Sequence, residues 1–155
     1  MILKRNLTIY EAYCRPHNHQ FEAYDFSDFQ YGERLVRTKD GHDFAVFTLD
    51  DNVPDELNDM LVRIYGNRFD EMERARVFDK IFGLSCDLLN EQELDASIGI
   101  TCPTCNSLDV SYRDYSPPRF KSFLIPVISH EQWLSMTDQE KRTLIEEGLR
   151  KEDLL

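Results

Sequence analysis

Cys102 and Cys105 stand two residues apart in TCPTCNSLDV, and one distant stretch, YCRPHNHQFE, repeats that punctuation with Cys14 and His17. Nothing else in the 155 residues constrains the fold as much. Zinc takes four soft or borderline donors in a tetrahedron, and a two-residue gap lets one tight turn aim two side chains at one ion. Two such turns complete a shell, so the spacing predicts a chain that folds back to set residue 14 beside residue 102. Between His17 and Cys102 lie 84 residues. Closing a loop of that length costs about 4 kcal/mol, whereas structural zinc returns apparent binding free energies of about 10–16 kcal/mol. Asn18 and Asn106 directly follow the two pairs. Asparagine is the best substitute for glycine where φ must be positive, so both suit a tight turn.

The two stretches also carry a family resemblance. LTIYEAYCRPHNHQFE resembles the first knuckle of small bacterial zinc ribbons of the FmdB type, and CPTCNSLDV resembles the general second knuckle of rubredoxin-like zinc ribbons. Transferred residue by residue, the resemblance implies metal ligands at Cys14, His17, Cys102 and Cys105. His17 stands where the family carries cysteine, which points to zinc rather than iron because Cys₃His is a structural zinc set. His19 is the rival nitrogen ligand, and the matched spacing favours His17. Two other readings of the cysteine pair stay open. A redox pair would sit at a helix N-terminus within a βαβ pattern, whereas ASIGITCPTCNSLDVSY reads as strand, turn, strand; ordinary unliganded thiols are the remaining reading. Cys86, in an apolar run, reads as a small buried hydrophobe.

Composition narrows the class. With 41% hydrophobic residues the chain has enough apolar material for the core of one domain. The N-terminal residues mix charge with apolar groups, and no segment approaches the roughly 18 apolar residues of a membrane span, so a cytosolic protein without a membrane segment is expected. In a reducing compartment four cysteines imply metal or redox chemistry before disulfides. The net charge of −11 disfavours nucleic acid and favours a protein partner. Residues 51–101 hold 5 Lys and Arg against 12 Asp and Glu, while residues 1–19 hold Lys4, Arg5 and Arg15 against Glu11 alone.

Periodicity organises the rest. Residues 1–13 and 19–26 read as strands around the first knuckle, and ERLVRTK with HDFAVFTL reads as a hairpin turning at Asp40-Gly41 through a type I′ turn. Val36 should then share a face with one or more of Phe44, Val46 and Phe47. Leu57, Met60, Leu61, Ile64 and Tyr65 mark one helix ended by Gly66-Asn67. A second is expected from Asp70 to Leu89, burying Met72, Val77, Phe78, Ile81 and Phe82. DVSYRDY and RFKSFLIPVIS read as strands broken at Ser116-Pro117-Pro118, with Pro126 placing the last on an edge. Ser129 with Gln132 and Thr137 with Glu140 read as capping boxes, the second opening a helix from Asp138 to about Arg150. The expected fold is α+β, one domain over 1–155: antiparallel zinc-ribbon-like strands in 1–50 and 97–128, a helical insertion in 51–96, and C-terminal helices in 129–155.

No phosphate-cradling loop, Gly-x-Ser-x-Gly elbow or His-Glu-x-x-His helix is present, and His130-Glu131 reads as an exposed first helical turn. A full Cys₃His shell leaves no position for water, so a structural zinc in a non-enzymatic protein is expected. AYDFSDFQYGE offers either paired acids, Asp25 and Asp28, beside a recognition surface of Tyr24, Phe26, Phe29 and Tyr31, or a strand with its aromatics in the core. FKSFLIPVI offers a docking groove or a core strand. Arg15, Arg113, Arg119 and Lys121 would be the surface for any nucleic acid. Asp70, Glu71 and Glu73 would be the surface of an acidic inhibitor, such as an immunity protein or antitoxin, facing a basic toxin. A thiol enzyme using Cys102 is the third reading.

Overall fold

The computed structural model of the chain describes residues 1–26 and 32–154, apart from the side chain of Asn67. Its elements run β1 (Ile2–Cys14), β2 (Gln20–Asp25), β3 (Arg34–Thr38), β4 (Phe44–Phe47), α1 (Val53–Tyr65), α2 (Glu71–Ile81), β5 (Leu94–Asp95), β6 (Val110–Pro126), α3 (Glu131–Leu134) and α4 (Asp138–Lys151). The class is α+β with antiparallel sheets. One sheet has the order β2-β1-β6 and the other β4-β3-β5. The short strand β5 lies within the stretch read as helical and pairs with β3.

β1 is central because its two neighbours come from opposite parts of the chain. It pairs with β2 through a hairpin, Tyr13 opposite Gln20, and with β6 from Ile2 opposite Pro126 to Cys14 opposite Val110. This long ladder places the residues before Val110 beside the first knuckle. β6 does not end at the prolines. It continues through Ser116-Pro117-Pro118, and the surplus is absorbed by a register shift in which Ile9 faces Arg119 while Tyr10 faces Asp114. No strand leads directly into Cys102, in contrast to the strand-turn-strand expectation: residues 98–102 have no regular secondary structure.

The β3–β4 hairpin forms at the expected place with a different turn. Only Gly41 has positive φ, at 78°, whereas a type I′ turn needs both central residues there. Thr38 closes a longer loop with Asp43, and the Asp40 carboxylate accepts from the His42 N–H. The type I′ geometry occurs instead at Asn90-Glu91, with φ of 50° and 66° between the mutually bonded Leu89 and Gln92. Val36 lies opposite Ala45 and shares its face with Ala45 and Phe47, while Val46 lies opposite Leu35 on the other side. The hairpin therefore serves two cores. Val36 and Ala45 join the helices, and Leu35 and Val46 join Leu7 and Ile125 between the sheets.

The helical core is the larger. α1 opens on Asp55 and Glu56, where the helix dipole favours acids, buries Val53, Leu57, Met60 and Leu61, and stops at Gly66 with φ 52°. α2 is capped by Asp70, whose carboxylate accepts from the Glu73 N–H at 2.8 Å. It ends at Ile81 rather than Leu89 and tightens into a 3₁₀ turn over Phe82–Ser85. Gly83 explains the change of path, since the Leu94 carbonyl approaches it so closely that no Cβ would fit. Met72, expected inside, is exposed on the first turn. α4 begins with the expected capping box of Thr137 and Glu140.

Ser129 and Gln132 form no such box. Asp87 takes that role across 44 residues, accepting from the N–H groups of Glu131 and Gln132 and from the Ser129 hydroxyl. Burial raises the Asp87 carboxyl, but these donors outweigh it and hold the group below its ordinary value. His130 is likewise not an exposed first turn: it is 6% exposed, with Nδ1 2.6 Å from the Ser85 carbonyl and Nε2 2.7 Å from Asp51. Both ring nitrogens are thus committed to other elements of the fold.

Of the aromatic stretch read after the first knuckle, Tyr24 and Phe26 pack against the core between the sheets. Asp28, Phe29 and Tyr31 lie outside the described residues.

Candidate metal centre

Two turns of the same backbone construction face each other at one end of the β1–β6 ladder. In the first, the Asn18 N–H donates to the Cys14 carbonyl at 2.7 Å and the Cys14 N–H to the His19 carbonyl at 3.0 Å. In the second, the Asn106 N–H donates to the Cys102 carbonyl at 2.9 Å and the Cys102 N–H to the Ser107 carbonyl at 3.0 Å. Asn18 has φ 55° and Asn106 has φ 59°, the left-handed positions the sequence assigns to them. The Arg15 N–H donates to the Asp109 carbonyl at 2.9 Å, and their side chains form an ion pair at 2.7 Å, so the turns are joined before any metal is considered.

Cys14, Cys102 and Cys105 come together as expected, and the fourth donor is His19. The ligand atoms of these four residues all lie within 4.8 Å of one another. His17 is the correction: it stands exposed on the turn, its ring centroid 5.6 Å from that of His19. Hairpin geometry allows His19 this place. Cys14 and His19 close the turn as a directly opposed pair, and opposed residues of an antiparallel ladder present their side chains on one face. The second turn, built the same way, takes its second ligand from Cys105, the position that corresponds to His17, so the turn pattern in the sequence does not by itself choose between the two histidines.

The distances decide what this cluster suits. Nδ1 of His19 lies 3.4 Å from the Cys14 sulfur and 3.6 Å from the Cys102 sulfur, and the Cys105 and Cys14 sulfurs are 3.8 Å apart. A tetrahedron built with Zn–S of about 2.3 Å and Zn–N of about 2.0–2.1 Å has S···N edges of about 3.6 Å and S···S edges of about 3.8 Å. The donor set and its edges fit a tetrahedral ion of that size.

No family model matches the chain, and no curated protein or solved structure matches it either. The site therefore has to be read from its own chemistry.

Electrostatics prepare one sulfur in particular. Burial raises the Cys102 thiol, but backbone N–H groups of Cys105 and Thr104, with the His19 ring, more than offset this and bring it to about 6. The Cys105 thiol benefits from the Ser107 N–H, yet lost solvation and the adjacent Cys102 and Cys14 sulfurs leave it above its ordinary value. Cys86 lies elsewhere, its thiol donating to the Phe82 carbonyl at 3.4 Å and pushed up to about 12 by burial. It is chemically inert by comparison.

The other singled-out residues are distributed differently. Arg15 pairs with Asp109, Arg113 with Glu11 at 3.0 Å and Arg119 with Glu22 at 3.3 Å, so three of the four cations read as a nucleic-acid surface are already matched by carboxylates. Lys121 lies over the Tyr24 and Phe123 rings. Asp70, Glu71 and Glu73 gather at the exposed start of α2, with Asp70 occupied as its cap. None of these residues is among the four donors, although Arg15 lies in the first turn beside Cys14.

Proposed function

We propose that this is a non-enzymatic, cytosolic zinc-binding protein whose Cys₃His site of Cys14, His19, Cys102 and Cys105 is structural, and that it acts by binding another protein. The observation that carries the reading is the set of tetrahedral donor edges at 3.4, 3.6 and 3.8 Å. Four protein donors fill a zinc shell, and a catalytic zinc keeps one position for water. The paired asparagine turns are in keeping with the zinc-ribbon resemblance, with the ligand in the first turn displaced to its closing position. When bound, the metal would supply Lewis acidity only to its own ligands, keeping the thiols as thiolates. The chain's part is to present the sulfurs and the imidazole, and to hold β6 against β1 through them.

Charge and pairing favour a protein partner over nucleic acid, since net −11 repels phosphate and the arginines near the knuckles are matched. A thiol redox role has one observation in its favour, the depressed Cys102 thiol. Metal thiolates require the same depression, and His19 and Cys14 beside the pair serve a metal better than an exchange reaction, which needs one accessible sulfur. The experiment is elemental mass spectrometry on protein purified without added metal, beside Cys102→Ser and His19→Ala. One zinc per chain in the parent and loss in both variants is the expected outcome. Folded parent protein that carries no metal and forms a reversible Cys102–Cys105 disulfide would replace this reading with the redox one.

A further inference from the structure

We infer that the outer edge of β6 receives an extended acidic segment of a partner protein as an added strand. The inference rests on the proposed function to one extent: β6 starts at Val110, opposite Cys14, so its seat on β1 begins at the metal-held turns.

β6 is an edge strand of 17 residues. Among the described residues, no backbone group outside the β1 ladder bonds to the chain between Ser111 and Ile125. Folded proteins usually shorten, cover or charge such an edge, because its free N–H and C=O groups are a template for another strand. The opposite edge follows that rule: β2 has six residues, and the Arg37 guanidinium donates to its Tyr24 carbonyl at 2.7 Å. β6 follows it only in part: Pro117, Pro118 and the register shift interrupt the strand upstream, β4 meets the chain at Val127, and Arg119 and Lys121 bring charge, but the stretch from Phe120 to Ile125 is left without a strand partner on its outer side. The register sets Phe120 opposite Thr8 and Leu124 opposite Lys4, on the same face as Ile2, and Phe120, Leu124 and Ile2 are 61%, 74% and 65% exposed. The inward face of the same strand is committed to the core through Phe123 and Ile125.

Charge selects the occupant. From Arg119 to Pro126 the strand carries two cations and no acid, in a chain of net charge −11. Arg119 and Lys121 stand on the face of Phe123, opposite to that of Phe120 and Leu124; Arg119 meets Glu22 at 3.3 Å, and Lys121 has no carboxylate within ion-pair distance among the described residues. A second copy adding its β6 antiparallel would bring Arg119 and Lys121 of both copies together, and like charges across a strand pair are destabilising. An extended segment with Asp or Glu beside Lys121 on one face, and apolar residues at alternate positions beside Phe120 and Leu124 on the other, satisfies backbone, charge and apolar surface at once.

The test uses the full chain with its metal content measured on the same sample. The probes are a fluorescein-labelled, end-capped nonapeptide alternating glutamate and valine, its lysine–valine counterpart, and a labelled oligothymidine, all followed by fluorescence anisotropy. The glutamate peptide is expected to bind at least about tenfold more tightly than the lysine peptide, and to weaken as salt screens the pairing. Leu124→Glu and Lys121→Glu should each weaken it by about tenfold or more, amide exchange should slow in residues 119–125, and Met72→Glu on α2 should change nothing. Absence of binding to the glutamate peptide, equal binding of both peptides, preference for oligothymidine, or self-association of the parent lost in Leu124→Glu would each overturn the inference. Zinc without peptide binding would remove the edge site and leave the metal reading intact. Peptide binding by folded, metal-free protein would do the reverse.

Discussion

The knuckle end and the helical end of this molecule hold themselves together by different means. At the helical end, Leu57, Leu61, Ile81, Phe82, Trp133, Ile145 and Leu149 are nearly or wholly buried in one apolar cluster. Polar ties then fix its geometry: Lys141 meets Glu56 at 2.6 Å, the Trp133 N–H donates to Glu56 at 3.1 Å, and His130 joins Asp51 to Ser85. At the knuckle end, no residue from 97 to 119 belongs to either apolar cluster among the described residues. The buried side chains there are sulfurs and a few small groups, Ala12, Cys14 and Cys102. Apolar burial stabilises in proportion to area, so an end with so little of it needs another source of stability. A metal held by the four converging donors would be that source, and would give the cluster a mechanical role as well as a chemical one.

The largest expected effect follows from this asymmetry. Chelation, or Cys102→Ser, should release the turns while the helices stay folded. Zinc affinity in Cys102→Ser is expected to fall by more than the roughly 10–100-fold that loss of an outer-shell partner brings. Amide exchange at Asn18, Cys102 and Asn106 should accelerate to the rate of an open loop, with α1 and α4 still protected. Loss of protection across α1 and α4 in step with the turns would break the comparison, and would mean that the metal holds up the whole fold rather than one end of it.

What the sequence discloses divides along the same line. The knuckles were legible because their chemistry is local: cysteine spacing and an asparagine in the left-handed position determine each turn within six residues. α1, α2 and the start of α4 were legible through periodicity and capping for the same reason. The choice of His19 over His17 was not legible in the first turn, because the second, with the same pattern, takes its second ligand at Cys105, the position that corresponds to His17. The other features that escaped are long-range. Asp87 caps a helix 44 residues away, and His130 is buried by Asp51 and Ser85, 79 and 45 residues distant. α2 stops early because Gly83 must pass the Leu94 carbonyl, which no local pattern announces. Met72 fits the helical period, yet it lies one turn beyond the reach of the core.

A middle-sized effect sharpens the contrast through acid. Burial raises the Glu56 carboxyl, but the Lys141 ammonium and the Trp133 N–H outweigh it, and the group titrates below its ordinary 4.5. A carboxylate lowered in the folded state contributes stability that is present above the unfolded value and lost as pH falls through the folded one. The helical end should therefore weaken below a pH of about 4.5, the unfolded reference for Glu56. Glu56→Gln should flatten that dependence and cost about 2 kcal/mol at neutral pH, the scale of a hydrogen bond to a charged group. Urea unfolding followed by the fluorescence of Trp133, the only tryptophan, reads this end alone. Protonation of the ligands would release a zinc bound at the other end, and that loss should leave the Trp133 signal unmoved.

The smallest effects come from single backbone positions, and they test whether the ends are independent. Asn18 and Asn106 shape the turns of the candidate metal centre, whereas Glu91, with φ 66° in the turn between Leu89 and Gln92, serves the helical end. A side chain in the left-handed region costs roughly 1–2 kcal/mol, less for asparagine and nothing for glycine. Asn18→Ala and Asn106→Ala should each cost about 1 kcal/mol, read as a ~5-fold weaker zinc constant, since 1.4 kcal/mol is about tenfold. Asn106→Gly should leave that constant nearly unchanged. Glu91→Gly should do the opposite, raising the urea midpoint reported by Trp133 by an amount equivalent to about 1 kcal/mol without altering zinc binding. A shift in zinc affinity on Glu91→Gly would reveal coupling through β5 and β3, whereas silence there would establish that the metal-held turns and the helical core are separate cooperative units.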